Sequence, residues 1–194
     1  GLAGASGLVV SPDGLNIYVA GESEDKVAVF TRSLGTGQPT FIEAVAEGDV
    51  QTSGTVDGLD EARDLALSPD GKTAYVSIED DNVMAAYDIA SKKAVFEVKT
   101  GGEPEGVLVT PDGKTAYVTS EVANVVHVID LGTKKVTKNI KVGKRPRRFV
   151  LTPDGAELWV TNELDATVSV VDTKTHTEKQ KVKFEVKGMR QADI

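Results

Sequence analysis

A four-residue phrase recurs four times along the chain and constrains its fold more than any other feature. Each copy reads Ser/Thr-Pro-Asp-Gly, and the copies occupy residues 11–14, 68–71, 110–113 and 152–155. Proline presets φ for a turn and glycine accepts a positive φ, so each copy is typical of a tight turn between two strands. Successive copies begin about 57, 42 and 42 residues apart. The whole chain is therefore an internal repeat.

Each repeat contains four candidate strands. In the third copy, apolar residues 106–110 precede the turn, residues 116–119 follow it, a Val-rich run spans 125–130 and an alternating run spans 135–142. The second and fourth copies show the same order. Four antiparallel strands in about 42 residues are typical of one blade of a β-propeller. We therefore predict an all-β fold, a β-propeller of four-stranded antiparallel blades, with about four blades in this chain.

The repeats form one propeller array over residues 1–194. We place the blades at about residues 1–57, 58–100, 101–142 and 143–188, and we interpret residues 189–194 as the start of a further strand. The first blade differs from the others by a long region rich in Gly and Thr, residues 31–57. Because both ends of the chain fall at repeat boundaries, we expect the blades to belong to a larger ring or to pair with a second propeller half, and a closed four-bladed ring is the alternative.

Two segments resemble the signature of YVTN-type β-propeller repeats. They read Tyr-Val-Thr-Ser at residues 117–120 and Trp-Val-Thr-Asn at residues 159–162, and the resemblance covers residues 60–194. Relatives of such repeats include surface-layer proteins, lactonases, haem-dependent nitrite reductases and propellers that accompany quinoprotein dehydrogenases. The resemblance implies a ring of seven or eight blades and a periplasmic or secreted location. The first blade resembles a different propeller-repeat subfamily.

Composition excludes several function classes. A formal net charge of −8 argues against binding to nucleic acid, because contacts with phosphates need a basic surface. The chain has no run of about eighteen apolar residues, so we expect no membrane span. It has no cysteine, which excludes disulfides and thiolate catalysis.

Carboxylates and amides cluster in the links between the second and third strands of the blades. Propeller topology brings these links to one rim. Hard cations such as Ca²⁺ and Mg²⁺ take several oxygen ligands from such groups. The candidate metal ligands are Glu22, Glu79, Glu121, Asn124, Asn162 and Glu163. The alternative interpretation is a solvated acidic rim without a bound ion, since no segment has the spacing of a Ca²⁺ loop.

Two segments are candidate partner-binding sites. The loop that leads into the fourth blade is basic and contains Lys144, Arg145, Arg147 and Arg148. Arginine offers a planar fork to carboxylates and phosphates, so this loop is predicted to hold an anion or an acidic partner. The alternative is charge pairing between blades, through Glu105, Asp64 or Glu61. The second segment lies in the long region of the first blade and consists of Gly35, Thr36, Gly37 and Gln38.

No blade carries a distinct set of acid, base and nucleophile. We expect His127 to pack within its strand, His176 to be exposed to solvent and Trp159 to pack between blades. The leading hypothesis is a non-enzymatic scaffold that mediates protein–protein interaction as a subunit of an extracytoplasmic assembly, with no bound cofactor. Two alternatives stay open: a metal-dependent lactonase-type hydrolase, and a redox-associated propeller that supports a haem or quinone enzyme.

Overall fold

The computed structural model of the protein describes residues 3–46, 50–51, 54–55 and 59–184. The first sheet consists of β1 (Ala5–Val10), β2 (Asn16–Gly21), β3 (Lys26–Arg32) and β4 (Pro39–Ala46), with a 3₁₀ turn at Glu22–Glu24 after β2. Two short strands, β5 (Val50–Gln51) and β6 (Gly54–Thr55), then pair with each other. The second sheet consists of β7 (Ala62–Leu67), β8 (Thr73–Ile78), β9 (Val83–Asp88) and β10 (Lys93–Lys99).

The remaining two sheets repeat this order. The third sheet consists of β11 (Pro104–Val109), β12 (Thr115–Ser120), β13 (Val125–Asp130) and β14 (Lys135–Lys141). The fourth consists of β15 (Pro146–Leu151), β16 (Glu157–Asn162), β17 (Thr167–Asp172) and β18 (Thr177–Lys183). Strands that are consecutive in a sheet are antiparallel and consecutive in the chain. The prediction of an all-β fold built from four-stranded antiparallel sheets is confirmed.

The first strands of the four sheets, β1, β7, β11 and β15, contact one another in that order. They are therefore the inner strands, from which the sheets extend outward as blades. The inner strands approach closely at two glycines. A Cβ on Gly106 would lie 2.7 Å from the carbonyl oxygen of Arg147, and a Cβ on Gly7 would lie 2.7 Å from the Cα of Asp64. Glycine at these positions lets neighbouring inner strands pack side by side.

A separate apolar core lies at each interface between successive sheets. Tyr18, Tyr75 and Tyr117 occupy equivalent positions in β2, β8 and β12, and each lies in the core between its own sheet and the next. Fully burying one side chain of this kind stabilises the fold by about 1.5–3 kcal/mol. The stack of sheets is thus held by repeated contacts between neighbours rather than by one central core.

The recurring phrase forms the turn between the first two strands of each sheet. In the second sheet, the Ser68 hydroxyl donates to Asp70 Oδ1 at 2.6 Å, the Lys72 amide donates to the same oxygen at 3.1 Å, and Gly71 has a φ of 69°. Hydrogen bonds first from the hydroxyl and then from the backbone amide lower the pKa of the aspartate at this position in all four sheets, Asp13, Asp70, Asp112 and Asp154. These aspartates close turns.

The long region of the first blade contains a turn, an outer strand and a small hairpin. Residues 33–38 join β3 to β4, and β5 with β6 follows. Residues 47–49, 52–53 and 56–58 lie outside the described residues, as does the further strand predicted at 189–194. In the part of the chain that the structure describes, no helix is long and apolar enough to cross a membrane.

Candidate functional site

A cluster of charged side chains lies where the inner strands begin. Arg63, Glu105 and Arg147 occupy equivalent positions in β7, β11 and β15. The Glu105 side chain is 3% exposed, and it accepts hydrogen bonds from Arg147 Nη1 at 2.6 Å and Arg148 Nη1 at 2.8 Å. Arg63 Nε lies 3.8 Å from the same carboxylate. One buried glutamate thus joins arginines of the second and fourth sheets.

The basic loop before β15 extends this cluster to the rim. Arg145 pairs with Glu121, whose side chain is 3% exposed, and Arg147 Nη1 lies 2.6 Å from the other oxygen of Glu121. Arg147 Nε also donates to Glu163 at 2.6 Å. These contacts match the alternative interpretation of charge pairing between blades. Lys144 is exposed, and its backbone amide donates to Asp165 Oδ2 at 2.7 Å.

A second group of ion pairs surrounds Arg63. Its guanidinium pairs with Glu22 and Glu79, and Nη2 lies 3.1 Å from Glu61. Burial raises the pKa of Glu79, although the hydrogen bond from Arg63 lowers it in part. Burial likewise raises the pKa of Glu121. In both cases the neighbouring arginines partly offset the effect of burial on the pKa of the carboxylate.

The two candidate amide ligands also have structural partners. Asn124 Oδ1 accepts the Arg145 amide at 2.9 Å, and Asn162 Oδ1 accepts the Gly143 amide at 3.0 Å. Among the described residues, no three acidic or histidine side chains converge as a metal ion would require. The structure thus does not bring Glu22, Glu79, Glu121, Asn124, Asn162 and Glu163 together as one ligand shell, and a metal site stays a prediction.

The segment of Gly35, Thr36, Gly37 and Gln38 lies at the opposite face of the array from the basic loop. It forms the tip of the turn between β3 and β4 and is mostly exposed. Arg32 Nη1 donates to the carbonyl of Gly14 at 3.2 Å, which places this tip beside the Pro-Asp-Gly turn of the same sheet. The two candidate partner-binding segments are therefore separated by the length of the strands, and no single contact surface includes both.

Sequence reasoning missed a hydrogen bond that links successive sheets. Asp25, Asn82 and Asn124, each in the link after the second strand, accept an amide hydrogen bond from the loop that leads into the next sheet. The donors are Glu61, Glu103 and Arg145, and all have φ between 52° and 57°. The sequence feature that could have revealed this hydrogen bond is the recurrence of Asp or Asn at one position of the repeat. In the fourth sheet this position is Ala166.

The histidines do not form a site. His127 is buried, Nε2 accepts the Gly101 amide at 2.8 Å, and Nδ1 lies 2.7 Å from Asn139 Oδ1. His127 thus packs within its strand. The expectation for His176 was wrong: it is half-buried, with Nδ1 3.5 Å from the Tyr117 hydroxyl, because the outer turn of the fourth sheet folds against the third.

The outer faces of the first and fourth sheets expose apolar residues whose counterparts are buried. Leu8 is 61% exposed, whereas Leu65 and Val107, at the same position in β7 and β11, are 3% and 5% exposed. Trp159 is 38% exposed, whereas its counterpart Tyr117 is 1% exposed. The expectation that Trp159 packs between blades was wrong for this structure, because the described residues place no sheet against that face.

Four-stranded antiparallel sheets whose first strands lie side by side are the blades of a β-propeller. The chain belongs to the family described as "Lactonase, 7-bladed beta-propeller", whose profile matches residues 3–137. No match was found among curated protein sequences. The finer likeness to YVTN-type repeats stays a prediction.

Two solved structures contain a similar arrangement of sheets. Hydrazine synthase of Kuenenia stuttgartiensis superposes with a TM-score of 0.77 at 25% identity, over 95% of this chain and 50% of that one. A protein of Bacteroides uniformis described as a candidate 6-phosphogluconolactonase superposes with a TM-score of 0.71 at 20% identity, over 93% of this chain and 55% of that one. The second likeness shows the fold alone. The chain spans about half the length of both proteins.

Proposed function

We propose that this chain is a non-enzymatic scaffold that works by binding protein through the outer faces of its first and fourth sheets. The observation that carries the proposal is the exposure of Leu8 and Trp159 at positions where the internal sheets bury their counterparts. Exposed apolar faces on a sheet favour contact with a partner. The partner that fits is another propeller sheet, because the internal interfaces already show which residues such a sheet presents.

A hydroxyl group on the fourth sheet supports this proposal. Ser77 and Thr119 donate to the carbonyls of Glu105 and Arg147 on the next inner strand, at 2.6 and 3.0 Å. Thr161 holds the same position in the fourth sheet, but it is exposed and donates to the carbonyl of Arg148 in its own sheet, at 3.0 Å. A sheet that docked here would offer this hydroxyl an inner-strand carbonyl, as in the internal interfaces.

We propose that the partner is a second copy of the chain. Its first sheet would present Leu8 to Trp159 of the other copy, in the way that β15 presents Phe149 to the core containing Tyr117. The two contacts of such a dimer would be related by symmetry, which closes the assembly. The charged cluster supports a structural role as well, since Glu105 and Glu121 bind arginines from neighbouring sheets. An extracytoplasmic location is part of this proposal and rests on the repeat resemblance.

Analytical ultracentrifugation of the purified chain tests the proposal. We expect a dimer for the wild type and a monomer for Leu8→Glu, because a buried charge would oppose docking. Leu34→Glu is the matched control, since Leu34 is 64% exposed but lies in the turn between β3 and β4. Far-UV circular dichroism checks that both variants fold. A wild-type chain that stays monomeric would contradict the proposal. So would a Leu34→Glu dimer that dissociates as readily as the Leu8→Glu dimer.

Family membership favours a second candidate function, hydrolysis of a lactone. The candidate catalytic carboxylates would be Glu79 and Glu121, because burial raises the pKa of each. A pH-stat assay with 6-phosphogluconolactone and simpler sugar lactones, with and without Ca²⁺ or Mg²⁺, tests this function. Acid release that is lost in Glu121→Gln but kept in Glu97→Gln would replace the scaffold proposal with a hydrolase.

The likeness to hydrazine synthase favours a third candidate, a propeller that supports a redox enzyme. In that case a haem or quinone would be held mainly by another polypeptide. An ultraviolet–visible spectrum of the assembly isolated from its source tests this candidate. An absorption band of haem or quinone that co-purifies with the chain would support it, and its absence from the intact assembly would contradict it.

A further inference from the structure

A cavity of about 200 Å³ lies between the first and second sheets, near their outer strands. Its walls are predominantly apolar and include the side chains of Tyr18, Val29, Val45, Leu59 and Val76. At the edge of the cavity, Lys92 Nζ lies 2.6 Å from Glu43 Oε2. The cavity is far from the charged cluster of the inner strands.

The next interface shows which side chain is missing here. Phe96 pairs with Ala86 across β10 and β9, and Glu43 pairs with Val29 at the same register across β4 and β3. Phe96 packs edge-on against Tyr75, with ring centroids 6.3 Å apart. In the first interface Tyr18 stands where Tyr75 stands in the second, but Glu43 turns to Lys92 at the surface. The space of one aromatic ring is therefore left open.

The third interface fills the same place differently. Lys138 holds the register position of Phe96 and donates from Nζ to the carbonyl of Thr175 at 2.8 Å. The ring of His176 packs against Tyr117, with centroids 6.0 Å apart. Glu43, Phe96 and Lys138 thus share a backbone register in the three interfaces but differ in the type of side chain. The first interface differs by having a carboxylate where an aromatic ring or a long aliphatic stem lies in the others.

We propose that this cavity binds a small neutral aromatic molecule, about the size of a substituted benzene. Apolar cavities of about 150 Å³ in proteins bind benzene, so the volume of this cavity, which is partly open to solvent, suffices for one ring with a small substituent. The side chains of Val29, Val45, Leu59 and Val76 would contact its faces and edges. Glu43 and Lys92 neutralise each other, and Asp88, which also lines the cavity, accepts hydrogen bonds from the Ser91 amide and hydroxyl at 2.8 and 2.7 Å. This site goes beyond the proposed function and does not depend on it.

Binding of 4-fluorotoluene, followed by ¹⁹F NMR, tests the site in the full chain. We expect Glu43→Phe to weaken binding by at least about tenfold, because the new ring would occupy the cavity as Phe96 does in the next interface. Glu97→Phe is the matched control, since Glu97 is exposed on β10 and does not line the cavity. This control should bind as the wild type does.

A second variant keeps the test decisive if Glu43→Phe does not fold. Ala74 lines the cavity, and its counterpart in the fourth sheet is Leu158, a buried core residue. Ala74→Leu should therefore fold and weaken binding of 4-fluorotoluene. Absence of binding to the wild type would overturn the proposal. Equal binding by the wild type and by both filled variants would overturn it too, because the probe would then bind elsewhere.

Discussion

The first and second sheet interfaces share one backbone register but are filled with different chemistry. At the second position of the inner strands, the second interface places Arg63 Nε 3.8 Å from Glu105, whereas in the first interface the Ser6 hydroxyl donates to the carbonyl of Ala62 at 3.3 Å. Near the outer edge, the second contains Phe96 and the first contains an ion pair over a cavity. A propeller interface thus tolerates different contents as long as its strands stay in register.

The largest expected effect comes from the buried carboxylate. We expect Glu105→Gln to lower the free energy of unfolding by about 3 kcal/mol, because Arg147 and Arg148 would lose their shared buried counter-charge. Chemical denaturation measures this effect. Ser6→Ala, at the equivalent position of the first sheet, should cost less than about 1 kcal/mol. Similar losses for the two variants would show that the two interfaces do not differ in this respect.

A smaller effect is expected at the outer edge. Phe96→Ala should lower the free energy of unfolding by about 2 kcal/mol, because it opens a space in a partly buried core and removes the contact with Tyr75. Glu43→Ala should change it by less than about 1 kcal/mol, since the Glu43–Lys92 pair is partly exposed. Thermal or urea unfolding compares the two. If Glu43→Ala were the more damaging variant, the first interface would depend on its ion pair rather than on apolar packing.

The smallest expected effect is a dependence on pH. Burial lowers the pKa of His127, whose counterparts in the first two sheets are Ala28 and Ala85. Below the ordinary histidine pKa of 6.5 the unfolded chain binds a proton that the folded chain resists, so stability falls as the pH falls through this region. Protonation would also place a donor on Nε2 against the Gly101 amide.

Melting temperatures at pH 7.5 and pH 5 measure this contribution. We expect the wild type to lose more stability between these values than His127→Gln, which has no imidazole to protonate. His176→Gln is the comparison variant, because burial lowers the pKa of that half-buried ring as well. An unchanged pH dependence in His127→Gln would assign the effect to other groups.

The repeat made much of the fold predictable. The Pro-Asp-Gly turns mark the start of each second strand, and alternation indicates the strands that follow. Propeller topology then brings Glu121, Arg145 and Arg147 to one rim, as the sequence indicated. What the sequence left open was which carboxylate each arginine binds, because Glu105, Asp64 and Glu61 all lie at or near the start of an inner strand of another blade. The structure shows that Arg147 and Arg148 both bind Glu105 across the inner strands.

Two features escaped prediction for a physical reason. The amide hydrogen bonds from Glu61, Glu103 and Arg145 to the preceding link join residues more than twenty positions apart, and such a contact exists only once two sheets have docked. The cavity behind Glu43 is likewise a difference between two interfaces rather than a pattern within one strand.

Local sequence determined the four-stranded unit, its turns and its number of copies, because turn chemistry and strand alternation act between near neighbours in the chain. The tertiary structure alone decided which charges meet, which apolar faces are covered and where a space remains. These outcomes depend on side chains from different repeats that meet in one interface. Their packing there determines whether a side chain fills the space, forms an ion pair or leaves a cavity.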